Sequence, residues 1–325
     1  MTRILGLLLA LAAIAAAGSA TSPASAPEGP EIQTVDLDGT GLRPIGNGAH
    51  PIGGPDGRIA FFRGGSFWVM AADGTGQRPV APAGPIEDVR MPASWSSQGE
   101  IGFGRWDHGL VALMAADAAT GELREVTRSR FRGAGAFSWA PRGDRIAYLG
   151  EYDSIRTAAY LTLEVVRADG SSRRVIASLP PREGHSFYEP VWSPRGDWIV
   201  YRRLVHRRSD SLYRIRPWGS KPEKLVQGHS VTWSPTVDRL LYVSGHELRT
   251  LELKTRRVRR LARARGITQA LWSPDGHRVA YATRARVRVV RASDGQVIST
   301  PITGEVDSLF FSRDGARLVF TLFSA

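Results

Sequence analysis

The chain has 325 residues, with 43 Lys+Arg against 31 Asp+Glu, a net charge of +12 and no cysteine. Without thiols there are no disulfides, Cys-ligated zinc sites or thiol nucleophiles, so packing and sheet hydrogen bonds must hold the fold. The positive charge is nearly all arginine, the only lysines being Lys221, Lys224 and Lys254, and it suits anionic partners or reflects an arginine- and alanine-rich coding bias.

Residues 1–20 read as a secretory signal peptide: Arg3, an apolar run from Ile4 to Ala17, then Gly18, Ser19 and Ala20. The run is shorter than the roughly 20 residues that cross a bilayer as a helix, so no transmembrane anchor is expected after cleavage. Cleavage is expected after Ala20; a second candidate, after Ala26, is followed at once by Pro27. Residues 21–30, rich in Pro, Ser and Ala, read as a flexible linker. The folded body is then 31–325, and its expected location is extracytoplasmic, periplasmic or secreted.

The body opens with half a unit: Ile32 to Leu37, the turn Asp38-Gly39, then Leu42 to Ile45. Whole units follow. Gly54-Pro55-Asp56-Gly57 precedes Ile59-Ala60-Phe61, and Trp95-Ser96-Ser97-Gln98-Gly99 precedes Ile101-Gly102-Phe103. Trp139-Ala140-Pro141-Arg142-Gly143 leads to Ile146-Ala147-Tyr148, and Trp192-Ser193-Pro194-Arg195-Gly196 to Ile199-Val200-Tyr201. Trp233-Ser234-Pro235 precedes Leu240-Leu241-Tyr242, Trp272-Ser273-Pro274-Asp275-Gly276 precedes Val279-Ala280-Tyr281, and Phe311-Ser312-Arg313-Asp314-Gly315 precedes Leu318-Val319-Phe320.

Units of about 40 to 50 residues, each with four short strands, are propeller blades. The Asp-Gly pair permits the positive backbone angles of a tight turn. The alternating strand after it suits a closely stacked sheet, and the Trp supplies a large blade-to-blade contact. The last copy stops after two strands and the opening half-unit supplies the other two. The expected fold is therefore all-β, a single seven-bladed β-propeller of four-stranded antiparallel blades closed by N- and C-terminal strands sharing one blade.

The recurring Trp-Ser-Pro-Asp-Gly with its aliphatic-small-aromatic triplet resembles the WD40-like repeat of the TolB propeller family over residues 31 to 325. TolB has an α/β domain ahead of a usually six-bladed propeller; this chain has room for the propeller alone. Similar repeats form the propeller part of prolyl oligopeptidase-type and dipeptidyl-peptidase-type enzymes. Their separate hydrolase domain is not read here, nor is a Gly-x-Ser-x-Gly nucleophile elbow.

Propeller loops that join blades project from the same face as those between the second and third strands of a blade. Length is added there around Gly150 to Ala159, Arg202 to Ser211 and Pro180 to Pro190. Long adjacent loops on a rigid scaffold concentrate binding residues. The candidates are Tyr152, Asp153, Arg156, His185, Tyr188, Glu189, Arg202, His206 and Arg207, joined by Arg105, Trp106 and His108 of the second blade; Asp107 lies on the same loop. Aromatics mixed with Arg and His suit recognition of a protein or an acidic ligand.

His108, His185 and His206 lack metal-ligand spacing, and no metal, cofactor or catalytic residue is assigned. The basic run Lys254 to Arg265 covers a turn and an outermost strand, where it either attracts an anionic polymer or guards a sheet edge; an exported chain with no recognised nucleic-acid motif makes nucleic acid a disfavoured partner. The expected function is a monomeric, non-catalytic binding scaffold for a protein or anionic cell-envelope component. The alternative is a propeller enzyme, a polysaccharide lyase or glycoside hydrolase, acting at the central channel.

Overall fold

The computed structural model describes residues 29–82, 89–108, 110–129, 137–154, 157–179, 186–204 and 210–322. The expected signal peptide and nearly all of the linker lie outside them. Regular structure among the described residues is all strand, arranged as seven sheets of four antiparallel strands.

Blades 1 to 6 occupy residues 49–82, 89–129, 137–179, 186–227, 229–263 and 267–303, each with its strands A to D in chain order. Blade 7 joins Val306–Phe311 and Arg317–Leu322 to Glu31–Asp36 and Arg43–Asn47. Glu31–Asp36 lies antiparallel to Arg317–Leu322, pairing Ile32 with Thr321 and Asp36 with Arg317. The A strands of neighbouring blades touch each other all the way round, which makes them the hub of a closed ring.

The aromatic residue ending each triplet is the keystone of the packing. Phe61, Phe103, Tyr148, Tyr201, Tyr242, Tyr281 and Phe320 all sit on strand B, at most 4% exposed. Ahead of each B strand the A–B turn is tied locally. In blade 6, Ser273 Oγ accepts the Arg278 N–H at 2.9 Å, Asp275 Oδ1 accepts that of His277 at 2.9 Å, and Gly276 takes φ 71°.

Two rings of latches join the blades. On the inner ring the repeat Trp donates its indole N–H to a strand-A carbonyl of the preceding blade. Trp95 reaches Ile52 at 3.1 Å, Trp139 reaches Ser94 at 3.2 Å, Trp192 reaches Ser138 at 3.0 Å and Trp233 reaches Val191 at 3.3 Å. Trp272 is equally buried, yet its Nε1 has no partner.

On the outer ring a strand-D side chain donates to a carbonyl in the C–D turn of the next blade. Arg43 reaches Asp73, Arg78 reaches Ala118, Arg124 reaches Ala168, Arg174 reaches Trp218, Arg259 reaches Ser293, and Ser299 reaches Leu37. The remaining junction, blade 4 to blade 5, is closed by the Glu223–Arg256 ion pair. Part of the arginine excess is therefore structural, because a guanidinium offers several donors on a long stem that packs along the sheet edge.

Between blades 2 and 3 a carboxylate is fully buried. Glu164, 0% exposed, accepts hydrogen bonds from Tyr148, Thr162 and Arg173. Burial pushes its carboxyl pKa up, but these hydrogen bonds outweigh that and hold it below the ordinary value. Burial, reinforced by the neighbouring Glu164 charge, pushes the Tyr148 hydroxyl well up. Gly150 leaves the room this network needs, since a Cβ there would lie 2.5 Å from Glu164 Oε1.

In blade 3 the described part of the added length on the second-to-third-strand side is strand, while residues 205–209 of blade 4 lie outside what the structure describes. Blade 3 extends its central hairpin as strands Arg145–Ser154 and Thr157–Arg167, so Tyr152 and Asp153 belong to a strand. Arg105 and Trp106 likewise end strand Glu100–Asp107, Arg202 lies in Ile199–Leu204, and Tyr188 and Glu189 lie in Ser186–Trp192. In blades 2 and 3 the backbone pairs across the central hairpin, Arg105 with Ala112 and Tyr152 with Tyr160, which extends these two sheets beyond the others, whereas Asp153 and Glu189 fall at register breaks.

Candidate functional site

Chain direction sets the two faces of the ring. D–A connections and B–C turns lie at one mouth of the channel, while A–B and C–D turns lie at the other. The extended hairpins of blades 2 and 3 therefore rise at the first mouth, where the candidate residues were expected.

The described candidates fall into two groups. In blade 4, Tyr188 and Arg202 are directly opposite across strands A and B. The Arg202 guanidinium lies 4.5 Å from the Tyr188 ring centroid and grips Asp210 through two bonds, at 2.8 and 3.0 Å. Tyr188 is 36% exposed. A guanidinium held by a bidentate carboxylate and laid over a ring is a rigid, part-exposed recognition element. In blade 2, Trp106 packs half-buried against the apolar cluster that also holds Val111. His108 is exposed at the hairpin tip with φ 46°.

The side chains of Tyr152 and Asp153 and the whole of Arg156, His185, His206 and Arg207 lie outside what the structure describes. Among the described residues no group of three or more His, Cys, Asp or Glu is placed to hold a metal ion.

Glu189 points to a site that the sequence reading missed. It adopts φ 50°, as do His50 of blade 1 and Ser230 of blade 5. All three stand three residues before the repeat Trp position, occupied by Trp192, Gly53 and Trp233, where strand A breaks its register with strand B. Bulges with a residue in the left-handed region re-aim side chains, and such strain concentrates at functional sites.

At His50 the bulge faces a cavity of about 650 Å³ in the hub, lined by His50, Ser94, Gln269, Asp307 and Ser308 from the A strands of blades 1, 2, 6 and 7. His50 Nδ1 lies 3.4 Å from Asp307 Oδ2, and Gln269 Nε2 donates to the Asp307 carbonyl at 2.7 Å. Such a set can bind a polar ligand, and its imidazole–carboxylate pair can hold or pass a proton. The sequence signal was faint: these residues sit in strands of ordinary length, and only the loss of Trp at Gly53 set the first unit apart.

No protein-family model matches the chain, and no characterised protein matches it by sequence. Solved structures do. TolB from Acinetobacter baumannii aligns with a TM-score of 0.56 at 15% identity, covering 91% of this chain and 64% of that protein, so the chain spans just under two thirds of its length. An oligogalacturonate lyase in complex with manganese aligns with a TM-score of 0.63 at 12% identity over 90% of each chain. A prolyl endopeptidase aligns with a TM-score of 0.62 at 13% identity, covering 87% of this chain and 45% of its own. At these identities the likeness is one of fold: the chain is a TolB-like seven-bladed propeller.

Proposed function

We propose that the protein is an exported, non-catalytic scaffold that binds a protein or an anionic envelope component at the mouth carrying the D–A connections and B–C turns. One observation carries the reading: Tyr188, Arg202 and Asp210 form a preorganised, part-exposed aromatic–cation–carboxylate cluster beside the channel, on a ring latched at every outer junction. Aromatic and arginine side chains held in place lose little entropy on binding and are frequent anchors of interfaces. TolB-like likeness and the signal-like residues 1–20 support an extracytoplasmic setting.

The test is affinity capture from an envelope extract with the full protein and with a Tyr188→Ala/Arg202→Ala variant of unchanged circular dichroism. Partners lost by the variant support the reading. Equal capture by both refutes it.

A second reading is an enzyme of the channel, favoured by the His50–Asp307 pair in the hub cavity and by the likeness to a lyase. Turnover of oligogalacturonate or another anionic oligosaccharide, abolished by His50→Ala, would replace the scaffold with the enzyme.

A further inference from the structure

On the opposite face, the C–D turn of blade 4 departs from those of blades 7, 1, 3 and 6, and it does so differently from blades 2 and 5, which carry Thr120 and Thr255 at the same place. The C–D turns Asp38-Gly39-Thr40, Asp73-Gly74-Thr75, Asp169-Gly170-Ser171 and Asp294-Gly295-Gln296 each tie themselves with an Asp Oδ1 that accepts a backbone N–H at 2.9 Å. Blade 4 has Trp218-Gly219-Ser220 instead. The turn survives, with Gly219 at φ 89° and its N–H on the Arg216 carbonyl at 3.0 Å, but a structural carboxylate has become an indole 57% exposed. Arg216 lies 5.6 Å from that ring while itself bonding Asp197. A large exposed aromatic where every other blade carries Asp or Thr, with no local gain in the turn, points to function.

Facing Trp218 across a cleft of about 280 Å³, blade 3 presents Arg145, Arg167 and Arg174. Arg145 is directly opposite Arg167 on neighbouring strands. The same register position holds Arg317 and Asp36 in blade 7, an ion pair at 2.8 Å, and Arg239 with Glu252 in blade 5. Blade 6 repeats the like-charged pair as Arg278 and Arg291, but there Asp294 holds Arg291 at 2.9 Å. In blade 3, Asp144 and Asp169 come only to 3.4 and 3.8 Å of side chains that remain 49% and 60% exposed. Like charges placed opposite each other destabilise a sheet, and an anion between them removes the penalty.

We propose that this cleft binds a ring-bearing organic anion the size of one acidic sugar. Its carboxylate or phosphate is held by Arg145 and Arg167, whose planar forks match either group, and its ring lies on the Trp218 indole. Arg174 fixes the wall by donating to the Trp218 carbonyl at 2.9 Å. This site is distinct from the mouth on the other face, and neither depends on the other.

The experiment is calorimetric titration of the full chain with glucuronate, glucose 6-phosphate, inorganic phosphate and glucose. One-to-one binding of glucuronate or of glucose 6-phosphate, without binding of glucose, is expected, and the two arms separate carboxylate from phosphate. Arg167→Glu recreates the opposite-charge pair of blade 7. It should raise the apparent Tm while weakening the anion by about tenfold or more. Trp218→Ala should weaken the sugar anion about fivefold at unchanged Tm. The proposal is overturned if neither sugar anion binds, if Arg167→Glu leaves affinity unchanged, or if inorganic phosphate binds as tightly as glucose 6-phosphate with Trp218→Ala having no effect.

Discussion

The inner latch predicts an asymmetry between two tryptophans of almost identical burial. Trp139 and Trp272 are 7% and 8% exposed, but only Trp139 spends its N–H on a carbonyl, that of Ser94 at 3.2 Å. Trp139→Phe removes that hydrogen bond, worth about 1 kcal/mol, and the smaller ring leaves a void costing about 1–2 kcal/mol more. Trp272→Phe opens the same void yet also deletes a buried donor without a partner, whose presence costs about 1–3 kcal/mol, so the two changes nearly cancel. The expected difference between the variants is about 3 kcal/mol, or about 6 °C in apparent Tm for a domain of this size. Phe311 already stands at this place in blade 7. Urea titrations followed by circular dichroism, compared at matched slopes, read the difference. If both variants lose the same stability to within about 0.5 kcal/mol, the indole latch contributes nothing and the reasoning fails.

Further expectations concern the blade 2–3 network and the mouth. Because Glu164 is held below its ordinary value of 4.5, its stabilisation is present above that pH and is lost as pH falls through the lower native value. Glu164→Gln should therefore flatten the acid limb of a Tm-against-pH curve, and an unchanged limb would count against the network. Gly150→Ala should cost about 2 kcal/mol or more by pressing a methyl on Glu164 and Thr162, read by thermal unfolding; a neutral result would mean the carboxylate has somewhere else to go. Asp210→Asn should lower stability by less than about 1 kcal/mol, since the pair with Arg202 is part-exposed, while altering capture of whatever Tyr188 binds.

The architecture was largely legible because each unit repeats the same local solution. Trp-Ser-Pro-Asp-Gly encodes a tight turn, the triplet encodes the buried strand after it, and Ile32 to Leu37 could be matched to the half-blade missing after Phe320. The site was less legible. Added length around Gly150 was read as loop although much of it pairs as strand, because extra residues look alike whether or not they pair with each other. Trp106, read as a recognition residue, packs part-buried against a neighbouring apolar cluster, since an aromatic near a turn carries no sign of which way it faces. The His50–Asp307 pair escaped because its partners are brought together by the ring, not by nearby sequence. The outer latches were hidden for another reason: in a chain so rich in arginine, Arg78, Arg124 and Arg174 looked like composition.

The pairing of Glu31–Asp36 with Arg317–Leu322 gives the chain an unusual timetable. During synthesis Glu31–Asp36 has no neighbour on that side until a strand nearly three hundred positions later exists, so a ribosome-bound fragment carries an exposed β edge over all the elongation between them. For the same reason, loss of the strand Arg317–Leu322 is more than a local change. It strips the partner from a strand nearly three hundred positions away and reopens the circle at one place, where unfolding or pairing between copies would begin.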